Sequence, residues 1–274
     1  MTLISANDTS GLCPIKWAEE VVQLAAEKSP LIADAFDPMA STSDTRVTYL
    51  SVPPVAAANP EGTAIVAADP TYVEKPLTPL SVRGQVVVSS EWLADIGPAK
   101  RSQLSRLMAS SAIRETAENM WLEAASLPTA VTASGPTMDS ISASNLADMT
   151  AAISQDAVMS AKFYIPSLSW GKIANQFSGG LLGAPKSSNA VANILGFDVC
   201  LHPIAPPTAG GVGILFGDAS KGFAFGTPSD AAPVVRMLDQ PLAATDQVLV
   251  SVFWRIVLGA LDNSGGMTSL KLAS

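Results

Sequence analysis

The chain has 274 residues, 48% of them hydrophobic, with 16 basic against 24 acidic side chains for a formal net charge of −8. That length and apolar content supply one large core or two lobes and exclude a disordered chain. An acidic chain without a Lys/Arg run repels nucleic acid, which excludes sequence-specific DNA binding. No apolar stretch is long or continuous enough to span a bilayer or serve as a secretory leader, so a soluble protein made in the cytoplasm, with no membrane partner, is expected.

Residues 15–26 place Trp17, Val21, Leu24 and Ala25 at helical spacing with Glu19, Glu20 and Gln23 opposite, which predicts a short amphipathic helix. Ser29 before Pro30 marks a turn or a new helix start. The runs "TRVTYLSV" and "LSVRGQVVVSSEWL" are β-branched and read as the two arms of one long hairpin. The Pro-, Ala- and Gly-rich segment between them has too few large apolar residues for a core of its own, so a neighbouring subunit is the simplest element to order it.

"SSEWLADIG" predicts a helical turn or two. After Pro98, the residues Leu104, Met108, Ala112, Ala117, Met120, Trp121 and Ala124 recur at three- and four-residue intervals. This is a helix of about 25 residues, roughly 40 Å long at 1.5 Å per residue. "SASNLADMTAAIS" reads as a serine-capped helix and "AKFYIPSLSWGKIANQ" as a strand turning into a helix at Pro166. "SGGLLGAPKSSNAVANILG" is a flexible excursion and "FDVCLHPIAPP" a strand ended by prolines. "APVVRML" is a further short strand. "QVLVSVFWRIVLGAL" fits a mostly buried strand, with a helix as the alternative. Strands and helices mix without a βαβ rhythm, so the fold class is α+β.

The stretch "GILFGDASKGFAFG" holds glycines, an aspartate and a lysine between two apolar strands, and invites a phosphate-loop reading. A phosphate loop needs a helix after its glycines, and here Phe223-Ala224-Phe225-Gly226-Thr227-Pro228 follows. The stretch therefore reads as the turn of a hairpin, with Phe216, Phe223 and Phe225 packing on a sheet and its charges solvated. The sole histidine, His202, has no second histidine to share a metal and no nucleophile at motif spacing, so it is structural. Cys13 and Cys200 read as buried free thiols. No catalytic, cofactor-binding or metal motif is present, and Glu19-Glu20 reads as a solvated helix face; two distant carboxylates of a hydrolase stay open in principle.

The segment order resembles that of the major capsid proteins of tailed phages, the HK97-like fold, over nearly the whole chain. Four pieces carry the resemblance: the strand and Ser-Glu-Trp-Leu-Ala-Asp turn of residues 86–95 before the long helix, the strand and helix start of residues 163–173, Gly196-Phe197-Asp198-Val199 with Asp198 where proline is common, and "ILFGDASK" at 214–221, the most specific. It implies an N-terminal arm (1–30), a peripheral domain (31–44, 85–136 and 238–274) with its spine helix at about 99–126, an extended hairpin loop (45–84) and an axial domain (137–237). It implies a non-enzymatic chain that self-assembles into hexamers and pentamers of an icosahedral shell around packaged double-stranded DNA, without cofactors. Pro54, Asn59, Glu61, Tyr72, Lys75 and Arg83 are the expected assembly contacts. Partners beyond the chain itself would be portal and decoration or cement proteins, with scaffolding either a separate protein or unnecessary. The chain begins almost at the arm, so a removable scaffold-like leader is not expected. The only loop lysine, Lys75, lies near the loop base, so cross-linking is not expected either. The rival readings are an encapsulin-like nanocompartment shell, which shares this fold, and a soluble α+β enzyme.

Overall fold

The computed structural model describes residues 29–36, 45–52, 71–77, 79–95, 98–178, 180–227, 234–238, 246–261 and 265–274; the helix expected over 15–26, Cys13, and the expected contacts Pro54, Asn59 and Glu61 lie outside them. Two main sheets organise these residues. A four-stranded sheet is built on β12 (Gln247–Ala260), whose 14 residues pair antiparallel with β3 (Pro79–Ser89) along one edge and with β11 (Val234–Leu238) and β10 (Phe223–Gly226) in succession along the other. A seven-stranded sheet runs in the order β4 (Thr129–Thr132), β13 (Met267–Lys271), β9 (Val212–Gly217), β5 (Lys162–Pro166), β8 (Phe197–His202), β7 (Ala192–Ile194) and β6 (Leu182–Gly183).

The burial of β12 follows strand periodicity. Val248, Val250, Val252, Trp254 and Ile256 are buried, whereas Leu249, Ser251, Phe253 and Arg255 between them are only half-buried. That alternation settles the element as a strand, since a helix would bury residues at three- and four-residue intervals. The covered face meets the 26-residue spine helix (Pro98–Glu123), which a 3-10 turn at Ala124–Ser126 continues. The helix buries Met108, Ala109, Ala112, Ile113, Thr116, Ala117, Met120 and Trp121. Thr116 satisfies its buried hydroxyl by donating to the Ala112 carbonyl at 2.9 Å.

In the seven-stranded sheet both faces are covered. Phe163, Ile165, Val199, Ile214 and Phe216 enter one core, shared with the helices Ala143–Ala151 and Trp170–Phe177. Tyr164, Cys200 and Leu215 enter the other, shared with the spine helix and the four-stranded sheet. A strand buried on both sides loses its polar alternation, which is why "KFYIP" and "VGILFG" read as continuous apolar runs. Ser142 caps the first of those helices in a capping box with Asn145, as the serine pattern predicts.

Several local expectations change. The partner of β1 (Thr45–Val52) is β2 (Thr71–Leu77), and the run "PLSVRGQVVVS" pairs with β12 instead. The extended hairpin is thus closed by "TYVEKPL", whose Pro76 and adjacent Glu74 and Lys75 hid its strand character. Residues 182–194 are an antiparallel pair, β6 with β7, and extend the large sheet. Among the strands of residues 137–237, β10 and β11 lie in the four-stranded sheet, and β4 and β13, outside that range, lie in the seven-stranded one.

Candidate assembly surfaces and the joint between the sheets

"GILFGDASKGFAFG" is not a hairpin. β9 pairs with β5 and β13, β10 pairs with β12, and the single helical turn Ala219–Gly222 carries the chain from one sheet to the other. A second crossover, from β12 to β13, runs beside it. Asp218 N–H donates to the Gly266 carbonyl at 3.0 Å and Leu261 N–H to the Gly222 carbonyl at 2.8 Å. The glycines exist for this contact. A Cβ on Gly217, whose φ is +137, would stand 2.5 Å from the Gly266 oxygen, and one on Gly222 would stand 2.5 Å from Met267 Cβ. The charges are engaged as well: Asp218 accepts from Ser220 N–H at 3.0 Å and caps the turn, and Lys221 Nζ donates to the Asp156 carbonyl at 2.9 Å. Phe216 packs with Phe163 and Phe197 in one core and Phe225 against Trp254 in the other, because the two residues belong to different sheets.

A second joint is made by residues 29–36. Ser29 caps the short helix Pro30–Asp34, whose Leu31 and Ile32 are buried in the shared core. At one end Ser29 Oγ lies 3.1 Å from His202 Nδ1, and His202 Nε2 lies 3.1 Å from the Ala117 carbonyl of the spine helix. A carbonyl only accepts, so Nε2 carries the proton and the neutral ring accepts from the Ser29 hydroxyl at Nδ1. The ring is stacked on Trp121, with centroids 5.5 Å apart. Burial pulls His202 down to about 4, against the Ala117 carbonyl, which favours the charged form. At the other end Asp34 Oδ2 accepts from Lys162 Nζ at 2.7 Å and from Tyr164 OH at 2.8 Å. Burial and then the Asp34 charge raise Tyr164; burial works against the Lys162 ammonium, but Asp34 outweighs it and Lys162 is raised. Beyond Asp34, Phe36 N–H donates to the Phe223 carbonyl and Phe225 N–H to the Phe36 carbonyl, both at 2.9 Å. Sequence reading found the Ser-Pro cap and the structural histidine, but not their pairing across 173 positions.

Of the expected contact residues the structure describes three. Tyr72 is 65% exposed on the extended hairpin. Lys75 is turned inward, its ammonium donating to the Ala260 carbonyl at the end of β12. Arg83 lies on β3 with its guanidinium 5.3 Å from the centre of the Phe253 ring, a cation–π contact within the chain. The structure does not gather these three into one patch. The hairpin is anchored at its base by Val47 and Leu77 against Ala224, Val257 and Leu261. Gly259 makes room there, since a Cβ would meet Leu77 Cδ2 at 2.6 Å.

Other apolar surface was not singled out from sequence. On the spine helix Leu107 and Leu122 are 61% and 71% exposed at the ends of a stripe that includes the Arg114–Glu118 pair, 3.5 Å apart. On the face of the four-stranded sheet turned away from the spine helix lie Val87, which is exposed, and the half-buried Leu249 and Phe253. No strand among the described residues pairs with the outer edge of β3. Scattered exposed leucines are ordinary, whereas an open sheet face beside an unpaired 11-residue edge is the kind of surface that proteins cover.

Among the described residues no group of three or more His, Cys, Asp or Glu side chains is arranged to hold a metal, and no helix is long and apolar enough to cross a membrane. Cys200 is buried and free, its thiol pushed up to about 11 by burial, which removes it as a nucleophile.

No protein-family model matches the sequence, and no curated protein matches it. Solved structures do. The capsid of an empty GTA particle superposes with a TM-score of 0.69 at 17% identity, over 90% of this chain and 90% of that one. A chain of Microbacterium phage Oxtober96 superposes with a TM-score of 0.62 at 14% identity, over 89% of this chain and 91% of that one. A chain of Mycobacterium phage Bobi does so at 0.60 and 16% identity, over 89% and 90%. The chain therefore has the α+β fold of these capsid and phage structures, the HK97-like fold that its sequence resemblance implies.

Proposed function

We propose that this chain is the major capsid protein of a tailed bacteriophage, a structural and non-enzymatic protein that assembles with copies of itself into an icosahedral shell of hexamers and pentamers around packaged double-stranded DNA. The observation that carries this reading is the end-to-end match, 90% of each chain, to a GTA capsid subunit. The same fold serves a shell through surfaces that a monomer leaves open. Among the described residues the β1–β2 hairpin meets the body at its base, and the outer face and β3 edge of the four-stranded sheet have no strand partner. Copies arranged head to tail around a closed ring would cover them by heterologous contacts.

On this reading residues 1–30 are an arm, the spine helix and four-stranded sheet form the peripheral domain, and the seven-stranded sheet forms most of the axial domain near the symmetry axes. Pro54, Asn59, Glu61 and Tyr72 are contacts of the extended hairpin with a neighbour. Lys75 and Arg83 act inside the subunit by fixing the hairpin base and the sheet edge. The net charge of −8 suits a wall that DNA slides past. Scaffolding, portal and cement proteins are separate partners, assembly is in the host cytoplasm, and the mature location is the virion.

Negative-stain microscopy of the purified chain tests the reading. Regular hollow shells, or free hexamers and pentamers, support it; a monomer that never associates at high concentration overturns it. Shells that co-purify with an enzyme carrying a docking peptide would assign the chain to nanocompartments. Deleting residues 55–72 leaves both sheets folded by circular dichroism and stops shell formation; intact shells after the deletion remove the hairpin from the assembly.

A further inference from the structure

The segment 29–36 connects to four elements. It reaches β8 and the spine helix through His202, β5 through Asp34, and β10 through the backbone of Phe36. β5 and β8 belong to the seven-stranded sheet and β10 to the four-stranded one. Eight residues thus fasten one sheet to the other. We propose that residues 29–36 are an acid-releasable clamp between the two sheets, opened by protonation of His202 while both sheets stay folded. The clamp rests on geometry within one subunit and requires no second copy of the chain.

The surroundings of the ring explain the release. His202 meets Ser29 from the clamp and Ala117 and Trp121 from the spine helix; two residues back on its own strand is Cys200, whose thiol is pushed up to about 11 and is neutral. The clamp's Asp34 is already engaged by Lys162 and Tyr164. Among the described residues no carboxylate is hydrogen-bonded to the imidazole, so a proton on Nδ1 places a cation in an apolar site without a partner there. Water reaches the ring by the route that breaks least structure. The spine helix and β8 are held by long backbone ladders. The segment 29–36 is held by two backbone bonds to β10, its two end contacts and the buried side chains of Leu31 and Ile32, with no strand ladder of its own. Lifting it is the smaller opening.

Hydrogen exchange on the full chain, read by mass spectrometry as protection factors corrected for intrinsic rates, tests the clamp. An open-state histidine near 6.5 and a closed-state value of about 4 imply a loss of protection on the order of 50- to 100-fold between pH 7.5 and pH 4.5 in peptides covering 29–36 and 223–226. Peptides of β12 keep their protection over the same range. The His202→Gln chain, whose amide can still donate to Ala117 without titrating, is expected to lose less than 5-fold. The Ser29→Ala chain, which keeps the histidine and loses the clamp's contact, starts with lower protection at pH 7.5. Unchanged protection in the native chain down to pH 4.5 overturns the proposal. So does an equal loss in His202→Gln, or a loss in β12 as large as that in 29–36.

Discussion

Gly222→Ala adds one methyl group at the tightest point between the two crossovers. The new Cβ would stand 2.5 Å from Met267 Cβ and 2.8 Å from its sulfur. Ordinary contact between such atoms begins near 3.4 Å, so the crossovers must separate by about 0.9 Å. The Met267 sulfur can swing away, but its Cβ is fixed to the backbone of β13 and carries the sheet with it. Overpacking of this kind costs about 1–3 kcal/mol, a large part of the roughly 5–15 kcal/mol by which a domain is stable. The matched control is Gly171→Ala in the helix Trp170–Phe177, where nothing lies within 4 Å of the new methyl. There the same change removes backbone freedom from the unfolded chain and gains about 0.5–1 kcal/mol. Denaturant unfolding of the unassembled subunit, followed by circular dichroism, is expected to move the midpoint down for Gly222→Ala and up for Gly171→Ala. Equal midpoints for the two variants, or a Gly222→Ala chain as stable as the native one, would refute the seam as the reason for these glycines.

Leu195 has φ 53 and Gly196 φ 92 in the two-residue turn between β7 and β8, a turn that favours Asn-Gly, so Leu195→Asn is expected to raise stability by about 1 kcal/mol in the same unfolding assay. In a Cys13→Ser chain, Cys200 should resist a maleimide at pH 8 until denaturant unfolds the core, and labelling of the native chain within minutes would contradict its burial. His202 is lowered to about 4 in the folded chain, so its contribution is complete above 6.5 and is lost as pH falls from 6.5 through 4. The loss is about 3 kcal/mol at about 1.4 kcal/mol per pH unit, and His202→Gln should remove that part of the acid dependence measured by urea unfolding across this range.

The spine helix, the capped helix after Ser142, the strand into helix at Pro166 and the buried strand β12 were all legible in the sequence. Each is fixed by local periodicity and capping chemistry. The structural role of His202 was legible too, because a single histidine has no second one with which to share a metal.

What tertiary structure decided is partnership. The eye pairs "GILFG" with "GFAFG" because they are adjacent, and both ends of a crossover look like the arms of a hairpin. A strand's own residues state that it needs a neighbour and not which neighbour, since any β-branched or aromatic edge satisfies its backbone. The glycines of that stretch could therefore be read only as a turn until Met267 and Gly266 were seen against them. For the same reason Ser29, Asp34, Lys162 and Tyr164 carried no signal as a group: a hydrogen bond across 130 positions leaves no period in the chain, and it forms only after both sheets have brought its ends together.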